Sequence, residues 1–143
     1  MAEIPRLVET RELKMTQLKE VMEDGNPVIF FRYDDAIDAL MMLFIEPTTE
    51  TVVHYLDDFV GLLYRPETKE VVGIQVENFE RKFIHAHATI ENVWRLSDCE
   101  TEMKDFGDIV LCFERIKPVV VKEVTRITKS LLHDQVGNEF VLA

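Results

Sequence analysis

The protein contains 143 residues, of which 47% are hydrophobic and 30% are charged, with five Gly, five Pro and two Cys. This composition is typical of a single globular domain, and it excludes a disordered chain, a collagen-like repeat and a small disulfide-stapled scaffold. The formal net charge is −11. Because a negative surface repels phosphate groups, we expect no binding to nucleic acid or to anionic membranes.

Targeting and membrane segments are not predicted. The longest uninterrupted apolar run is only residues 39–45, whereas a membrane-spanning helix needs about 20 such residues. The first residues contain no basic segment followed by an apolar stretch, which a signal peptide would have. Cys99 and Cys112 form no CxxC pair and are expected to be reduced thiols. These features predict a cytoplasmic protein.

The first half of the chain predicts one helix and a series of short strands. Leu13, Leu18 and Met22 recur on one face of a helix predicted over residues 11–23. Aromatic and β-branched runs then predict strands that are too closely spaced for helical crossovers and must be antiparallel. An alternative for the third and fourth predicted strands, residues 51–56 and 59–64, is a single long bent strand. The predicted strands are residues 28–33, 39–45, 51–56, 59–64 and 71–76.

Helical spacing returns after Asn78. Apolar residues from Phe79 to Trp94 recur every three to four positions, which predicts a helix over about 79–96. A short strand over 82–88 is the alternative. An acidic linker is predicted over 97–105.

Two further helices are predicted in the last third of the chain. Asp105 can cap the first of them, over about 106–116, and Pro118 can open the second, which Gly137 ends. Residues that recur at helical spacing after Pro118 predict one apolar face, formed by Val120, Val124, Ile127 and Leu131. These segments carry apolar residues on more than one side, and an apolar tail follows. We therefore also expect a homodimer in which the C-terminal helices pack across a twofold axis.

The predicted fold is α+β and forms one domain. An antiparallel β-meander of four to five strands is preceded by one helix and followed by two to three helices that cover one face of the sheet. The corresponding segments of the domain 1–143 are residues 1–27, 28–77 and 78–143.

Negative charge is concentrated in two windows of the sequence. Residues 34–64 contain seven acids and no Lys or Arg, and residues 98–108 contain five acids and one Lys. Such a field favours a basic protein partner or a hard cation, and a purely solubilising role is the alternative. The predicted interaction surface consists of Asp34, Asp35, Asp38, Asp57 and Asp58.

The segment from Asp34 to Asp38 also matches the DDxxD pattern, which binds magnesium and diphosphate in prenyl-transfer enzymes. That chemistry uses a helix in a large all-helical cavity, whereas here the five residues join two predicted strands. Asp is common in turns because its carboxylate accepts hydrogen bonds from nearby backbone amides. The pattern therefore indicates a turn.

His85, His87 and Glu91 are the candidate metal ligands. On a strand the two histidines would share a face, whereas on a helix they point about 200° apart, and His87 would then face Glu91 one turn later. Two ligands do not make a zinc site. His54 lies near Asp57 and Asp58, and a His–Asp pair can serve in acid–base catalysis, although adjacent aspartates on a strand face opposite ways and at most one of them can help. Phosphate-binding glycine loops and serine-nucleophile elbows are missing from the sequence, so no catalytic residue and no cofactor is predicted.

Four short segments between residues 30 and 76 share the order and spacing of one family pattern: Arg32-Tyr33-Asp34, Asp38-Ala39-Leu40, residues 58–64 and residues 71–76. In these segments the chain resembles the YuzE-like family of small bacterial domains of unknown function. That resemblance implies a compact β-meander and no catalytic residues, and it suggests for some members an antitoxin-like role beside small basic proteins. The chain departs from the family at Gln75, where a glutamate is usual, and in the segments that precede and follow the match.

Two functional hypotheses follow. The first is a non-enzymatic acidic protein-interaction domain, antitoxin-like in the sense of the resemblance, that binds a basic partner. The alternative is a metal-dependent enzyme or a metal-binding module that uses the histidines together with nearby carboxylates.

Overall fold

The structure is a computed structural model that describes residues 9–23, 29–45, 50–94 and 106–136, with the side chains of 117–135 in the last segment. The predicted acidic linker, Cys99, Cys112, the helix end at Gly137 and the apolar tail lie outside the described residues or side chains. None of the helices in the described segments is both long and apolar enough to cross a membrane.

The N-terminal helix is shorter than predicted. A 3-10 turn at Thr10–Glu12 is followed by the helix α1 at Thr16–Glu23. Between them the backbone of Lys14 pairs with the sheet, accepting a hydrogen bond from the amide of Val71 at 2.8 Å and donating one to the carbonyl of Lys69 at 2.9 Å. A helix cannot use its backbone in this way, so the predicted helix over 11–23 is split at this point.

Five antiparallel strands form one sheet, which confirms the predicted α+β fold. The sheet order is β1-β2-β5-β4-β3, so β2 pairs with β5 rather than with the strand that follows it. As a result β5 lies in the centre, and β1 and β3 form the two edges. The strands are β1 Phe30–Asp34, β2 Ala39–Leu43, β3 Val52–Tyr55, β4 Val60–Tyr64 and β5 Val71–Glu77.

The core lies on the helix-covered face of the sheet. Strands β2, β4 and β5 carry the most continuous apolar runs and are the three inner strands, since burial on both faces removes the need for alternation. Alternate side chains such as Leu40, Leu62 and Ile74 point into the core and meet α1 and the helical segments that follow the sheet. Fully burying one such side chain contributes about 1.5–3 kcal/mol.

The predicted helix over 79–96 is interrupted. A π-helical turn at Phe79–Phe83 leads into a 3-10 turn at Ile84–Ala86, and the helix α2 begins only at residue 88 and is described to 94. Helical turns occupy most of 82–88, so the alternative of a strand there is wrong. Within the π-helical turn the rings of Phe79 and Phe83 stack with centroids 5.8 Å apart, and both side chains are buried.

One continuous helix, α3 at Phe106–Val136, replaces the two predicted helices. Pro118 lies inside it and not at its start. On the apolar face predicted after Pro118, Val120 and Val124 are fully buried, and Ile127 and Leu131 are half-buried. Leu132, which the spacing did not include, is fully buried as well. The buried hydroxyl of Thr128 lies on the same face and donates to the carbonyl of Val124 at 2.8 Å. This hydrogen bond satisfies the polar group within the apolar face.

Replacing Pro118 by Ala is expected to raise the free energy of unfolding by about 1–2 kcal/mol. Proline in a helix interior removes an N–H donor and costs about 3 kcal/mol relative to alanine. The expected gain is smaller than this, because alanine also gives the unfolded chain more conformational freedom, which offsets about 1 kcal/mol. The side chain is exposed, so the exchange loses little packing. Urea unfolding measures the effect, with the exposed Lys122→Ala as the control. A less stable Pro118→Ala protein would contradict a continuous helix.

Candidate interaction surface at one end of the sheet

Strand pairing brings the two acidic turns of the sequence to the same end of the sheet. Ala39 at the start of β2 pairs with Glu77 at the end of β5, and Val60 at the start of β4 pairs with Val76. The β1–β2 turn and the β3–β4 turn therefore flank the end of β5. With strands about 4.8 Å apart, the centres of the two turns are separated by about 14 Å. We call the exposed or half-exposed Asp34, Asp35, Asp57 and Asp58 the acidic end.

In the β1–β2 turn one acid is fixed and its neighbour is exposed. The Asp34 carboxylate accepts a hydrogen bond from the amide of Ala36 at 3.0 Å and lies 3.8 Å from a guanidinium nitrogen of Arg32. Asp35 is exposed to solvent. Asp34 therefore shapes the turn, which explains the DDxxD pattern, whereas Asp35 presents its charge outward.

The β3–β4 turn repeats this division of roles. One carboxylate oxygen of Asp57 accepts hydrogen bonds from the amides of Phe59 at 2.8 Å and Val60 at 2.6 Å. Asp58 is exposed. Each turn thus holds its own backbone with one aspartate and directs a second aspartate into solvent.

Asp38 does not belong to this surface, which corrects its assignment from the sequence. Its side chain is buried, with 5% of the residue exposed, and its backbone is left-handed with φ of 53°. The carboxylate accepts three hydrogen bonds, from the Tyr33 hydroxyl at 2.7 Å and from the amides of Glu80 at 2.8 Å and Arg81 at 3.1 Å. Asp38 therefore joins the β1–β2 turn to the π-helical turn forty-two residues later.

The environment of Asp38 keeps it ionised. Burial alone would raise the pKa of this carboxyl, but the hydrogen bonds from Tyr33 and from the two backbone amides outweigh burial and lower the pKa. The pKa of Tyr33 is raised, first by burial and then by its bond to Asp38. Trp94 donates to Glu80 at 2.8 Å, and its ring packs against Tyr33 edge to face with centroids 5.3 Å apart. These groups form a polar element of the core.

Two of the three candidate metal ligands, His85 and Glu91, are in contact, and the third, His87, packs on an aromatic ring. His85 Nδ1 and a carboxylate oxygen of Glu91 are 2.5 Å apart, whereas the ring of His87 packs on Phe83 with centroids 4.5 Å apart. Burial lowers the pKa of His87, and the nearby charge of Arg126 lowers it further. Within the described residues, no three His, Cys, Asp or Glu side chains are placed to hold a metal ion.

His54 takes part in a hydrogen-bond chain that ties α3 to the sheet. The Thr10 hydroxyl lies 2.7 Å from His54 Nε2 and donates its proton to Gln135 at 2.8 Å. A hydroxyl has one proton, so Nε2 must be the donor in the contact with His54. Gln135 in turn donates to the carbonyl of Leu56 at 2.7 Å. Burial lowers the pKa of His54, which suits a neutral structural imidazole.

Comparisons of the chain with protein-family models, with curated proteins and with solved structures gave no match. Function is therefore inferred from the placement of the chain's own residues. Four of the five predicted surface aspartates share one end of the sheet, and the fifth is part of the core. Sequence reasoning missed the Asp38 cluster, because nothing in the pattern pairs that residue with Glu80 or Arg81.

Proposed function

We propose that the protein is a non-enzymatic interaction domain whose acidic end binds a basic segment of a partner protein. The observation that carries this proposal is that two turns distant in sequence place Asp35 and Asp58, both exposed, at the same end of one rigid sheet. Antiparallel pairing fixes their separation before any partner arrives. A preorganised pair of charges loses little conformational entropy on binding.

The electrostatics of the acidic end suit a cationic protein surface. Asp34 and Asp57 use oxygen atoms to hold their own turns, so their charges stay in place beside the freely exposed Asp35 and Asp58. Complementary charge of this kind raises the association rate and sets the orientation of docking more than it raises affinity. Because these charges are exposed, salt screens them, and binding should weaken steeply as ionic strength rises.

The resemblance of residues 30–76 to the YuzE-like family adds a partner class to this proposal. Members of that family are often encoded beside small basic proteins, which suggests an antitoxin-like role for some of them. The span covers β1 to β5 and both acidic turns. On this proposal the partner is a small basic protein that docks across the end of β5.

A charge-neutral double variant tests the proposal. We expect the wild-type chain to capture a basic protein from the native host at about 50 mM salt and to lose it at about 500 mM. Asp35→Asn/Asp58→Asn should weaken the affinity for the purified captured protein about tenfold or more, measured by calorimetry. These two positions are chosen because both side chains are exposed, whereas Asp34 and Asp57 accept hydrogen bonds that hold the turns.

The matched control is Glu20→Gln/Glu67→Gln, which removes the same charge from exposed positions on α1 and on the turn at the other end of β4 and β5. It should retain wild-type affinity apart from a small general effect of net charge. Equal weakening in both double variants would assign the effect to overall charge and reject the acidic end as the site. Recovery of no basic protein at either salt concentration would reject the proposal as a whole.

A further inference from the structure

Among the described residues β3 pairs with β4 alone, and its outer edge lacks the usual protection of an edge strand. Exposed edges normally carry charged side chains, proline or a bulge that prevents pairing with another chain. The opposite edge, β1, has Arg32 at its middle with 76% of the side chain exposed. From Thr51 to Leu56 the chain has no charged residue, and 40% of Val52 and 52% of Tyr55 are exposed.

The hydrogen-bonding groups along this edge can be assigned from the register. Leu56 donates to the carbonyl of Val60 at 2.8 Å, so the amide of residue 56 points toward β4. Along an antiparallel strand, the backbone N–H and C=O groups of successive residues point alternately to one neighbouring strand and to the opposite side. The backbone groups of His54, two residues before Leu56, therefore also point at β4. The N–H and C=O groups of Val53 and Tyr55 consequently point away from the sheet.

We propose that β3 pairs antiparallel with β3 of a second copy, around a twofold axis at Val53. Val53 then lies opposite Val53 of the other copy, and Thr51 lies opposite Tyr55, so about six backbone hydrogen bonds form. The register keeps the helix-covered faces of both copies on the same side. The two sheets become one sheet of ten strands, twice the five of each copy.

The distribution of charge determines both which partner pairs with β3 and in which register the two strands pair. Two chains of net charge −11 repel each other, and the uncharged β3 edge is a strip along which they can approach. A basic partner gains nothing there, because the strand offers no carboxylate. In the proposed register Glu50 faces Leu56, whereas moving the twofold axis to His54 would set Glu50 opposite Asp58. Like charges directly opposite are destabilising.

This inference is independent of the proposed function. The pairing uses the outer edge of β3, whereas the acidic end is formed by the β1–β2 and β3–β4 turns. An antiparallel pair places the acidic ends of the two copies at opposite ends of the joined sheet, where both can bind.

Two lysine substitutions of matched exposure test the pairing by sedimentation equilibrium. Val52→Lys places a charge on the β3 edge, and Phe30→Lys, at a residue that is 42% exposed, places one on the β1 edge. We expect the wild type and Phe30→Lys to show twice the 16.7 kDa chain mass at tens of micromolar. Val52→Lys should raise the dimer dissociation constant about tenfold or more.

A proline substitution gives a second measurement. Val53→Pro removes an N–H that points to solvent in the single copy, so the internal ladder of the sheet stays intact, but it removes two bonds at the centre of the proposed interface. It should be monomeric with an unchanged circular dichroism spectrum. A monomeric wild type at about 200 μM would overturn the inference. A dimer that persists equally in Val52→Lys and Phe30→Lys would also overturn it and would point instead to the C-terminal helices.

Discussion

Replacing Asp38 by Ala is expected to lower the free energy of unfolding by about 3–4 kcal/mol. The substitution leaves the amides of Glu80 and Arg81 and the Tyr33 hydroxyl without their acceptor, and each unsatisfied buried group costs about 1–3 kcal/mol before relaxation. Alanine also tolerates the left-handed backbone at this position less well than aspartate. Water can reach part of the opened turn, so the expected loss of unfolding free energy is smaller than the sum of the costs of the separate groups.

The effect is measured by urea unfolding at pH 7, with Asp35→Ala as the control. Asp35 precedes Asp38 in the same turn but is exposed, so its replacement should change the free energy of unfolding by no more than about 0.5 kcal/mol. The comparison separates the buried carboxylate from a general preference for Asp in the turn. A loss of less than about 1 kcal/mol for Asp38→Ala would show that water replaces the carboxylate without cost.

The stabilisation by Asp38 should depend on pH in one direction. The folded protein holds the pKa of this carboxyl below its ordinary value of 3.8, so the unfolded chain binds the proton first as the pH falls. The contribution is therefore complete well above pH 4 and is lost as the pH drops below the ordinary value and through the folded value. We expect the difference between wild type and Asp38→Ala to be constant from pH 7 to about pH 5 and to shrink below about pH 4. A difference that grows on acidification would contradict this account.

The sheet was predictable because its signals are local. Each strand overlaps an apolar run bounded by turn residues, which is rich in aromatic or β-branched residues in every strand except β2, and short connections favour antiparallel pairing. The position of β2 beside β5 was not predictable, because Met42 and Ile74 are paired across thirty-two residues and no local pattern records such a partner. Sequence periodicity reports which face of a strand is buried, and it does not report which strand lies next to it.

The predictions of the helices were wrong where tertiary contacts overrode the periodicity of the sequence. The spacing of Phe79 and Phe83 fits an α-helix, yet the left-handed Asn78 and the capping carboxylate of Asp38 wind this segment into tighter and wider turns. Pro118 fits a helix start equally well, but α3 runs through it, and the residues that follow it, such as Val120 and Val124, are buried against the core. In both places long-range packing decides, and a local rule cannot detect it.

The candidate site, too, could be predicted from the sequence only in part. Sequence identified the charged turns, and strand pairing then showed that Asp35 and Asp58 share one end of the sheet. Burial removed Asp38 from that set, because an aspartate in a turn has the same local signature whether it faces solvent or caps a distant segment. Only the fold distinguishes the two cases.

Replacing Gly73 by Ala is expected to lower the free energy of unfolding by about 2–3 kcal/mol, since overpacking in a core costs about 1–3 kcal/mol and here the backbone must move. An added Cβ would lie 2.6 Å from the carbonyl oxygen of Met42 and 2.9 Å from a methyl group of Leu43. Met42 belongs to β2, which is paired with β1 on one side and β5 on the other, so its carbonyl cannot withdraw without opening a ladder.

Gly61→Ala in β4 is the matched control, because it makes the same chemical change in the neighbouring strand. Its added Cβ would meet a methyl group of Val53 at 2.5 Å, but Val53 lies on the edge strand β3 and can move outward. We expect a loss of about 1 kcal/mol there. The gain from restricting the unfolded chain is common to both glycines and cancels in the comparison. Equal losses in the two variants, measured by urea unfolding, would contradict the rigid pairing of β2 with β5 at the centre of this sheet.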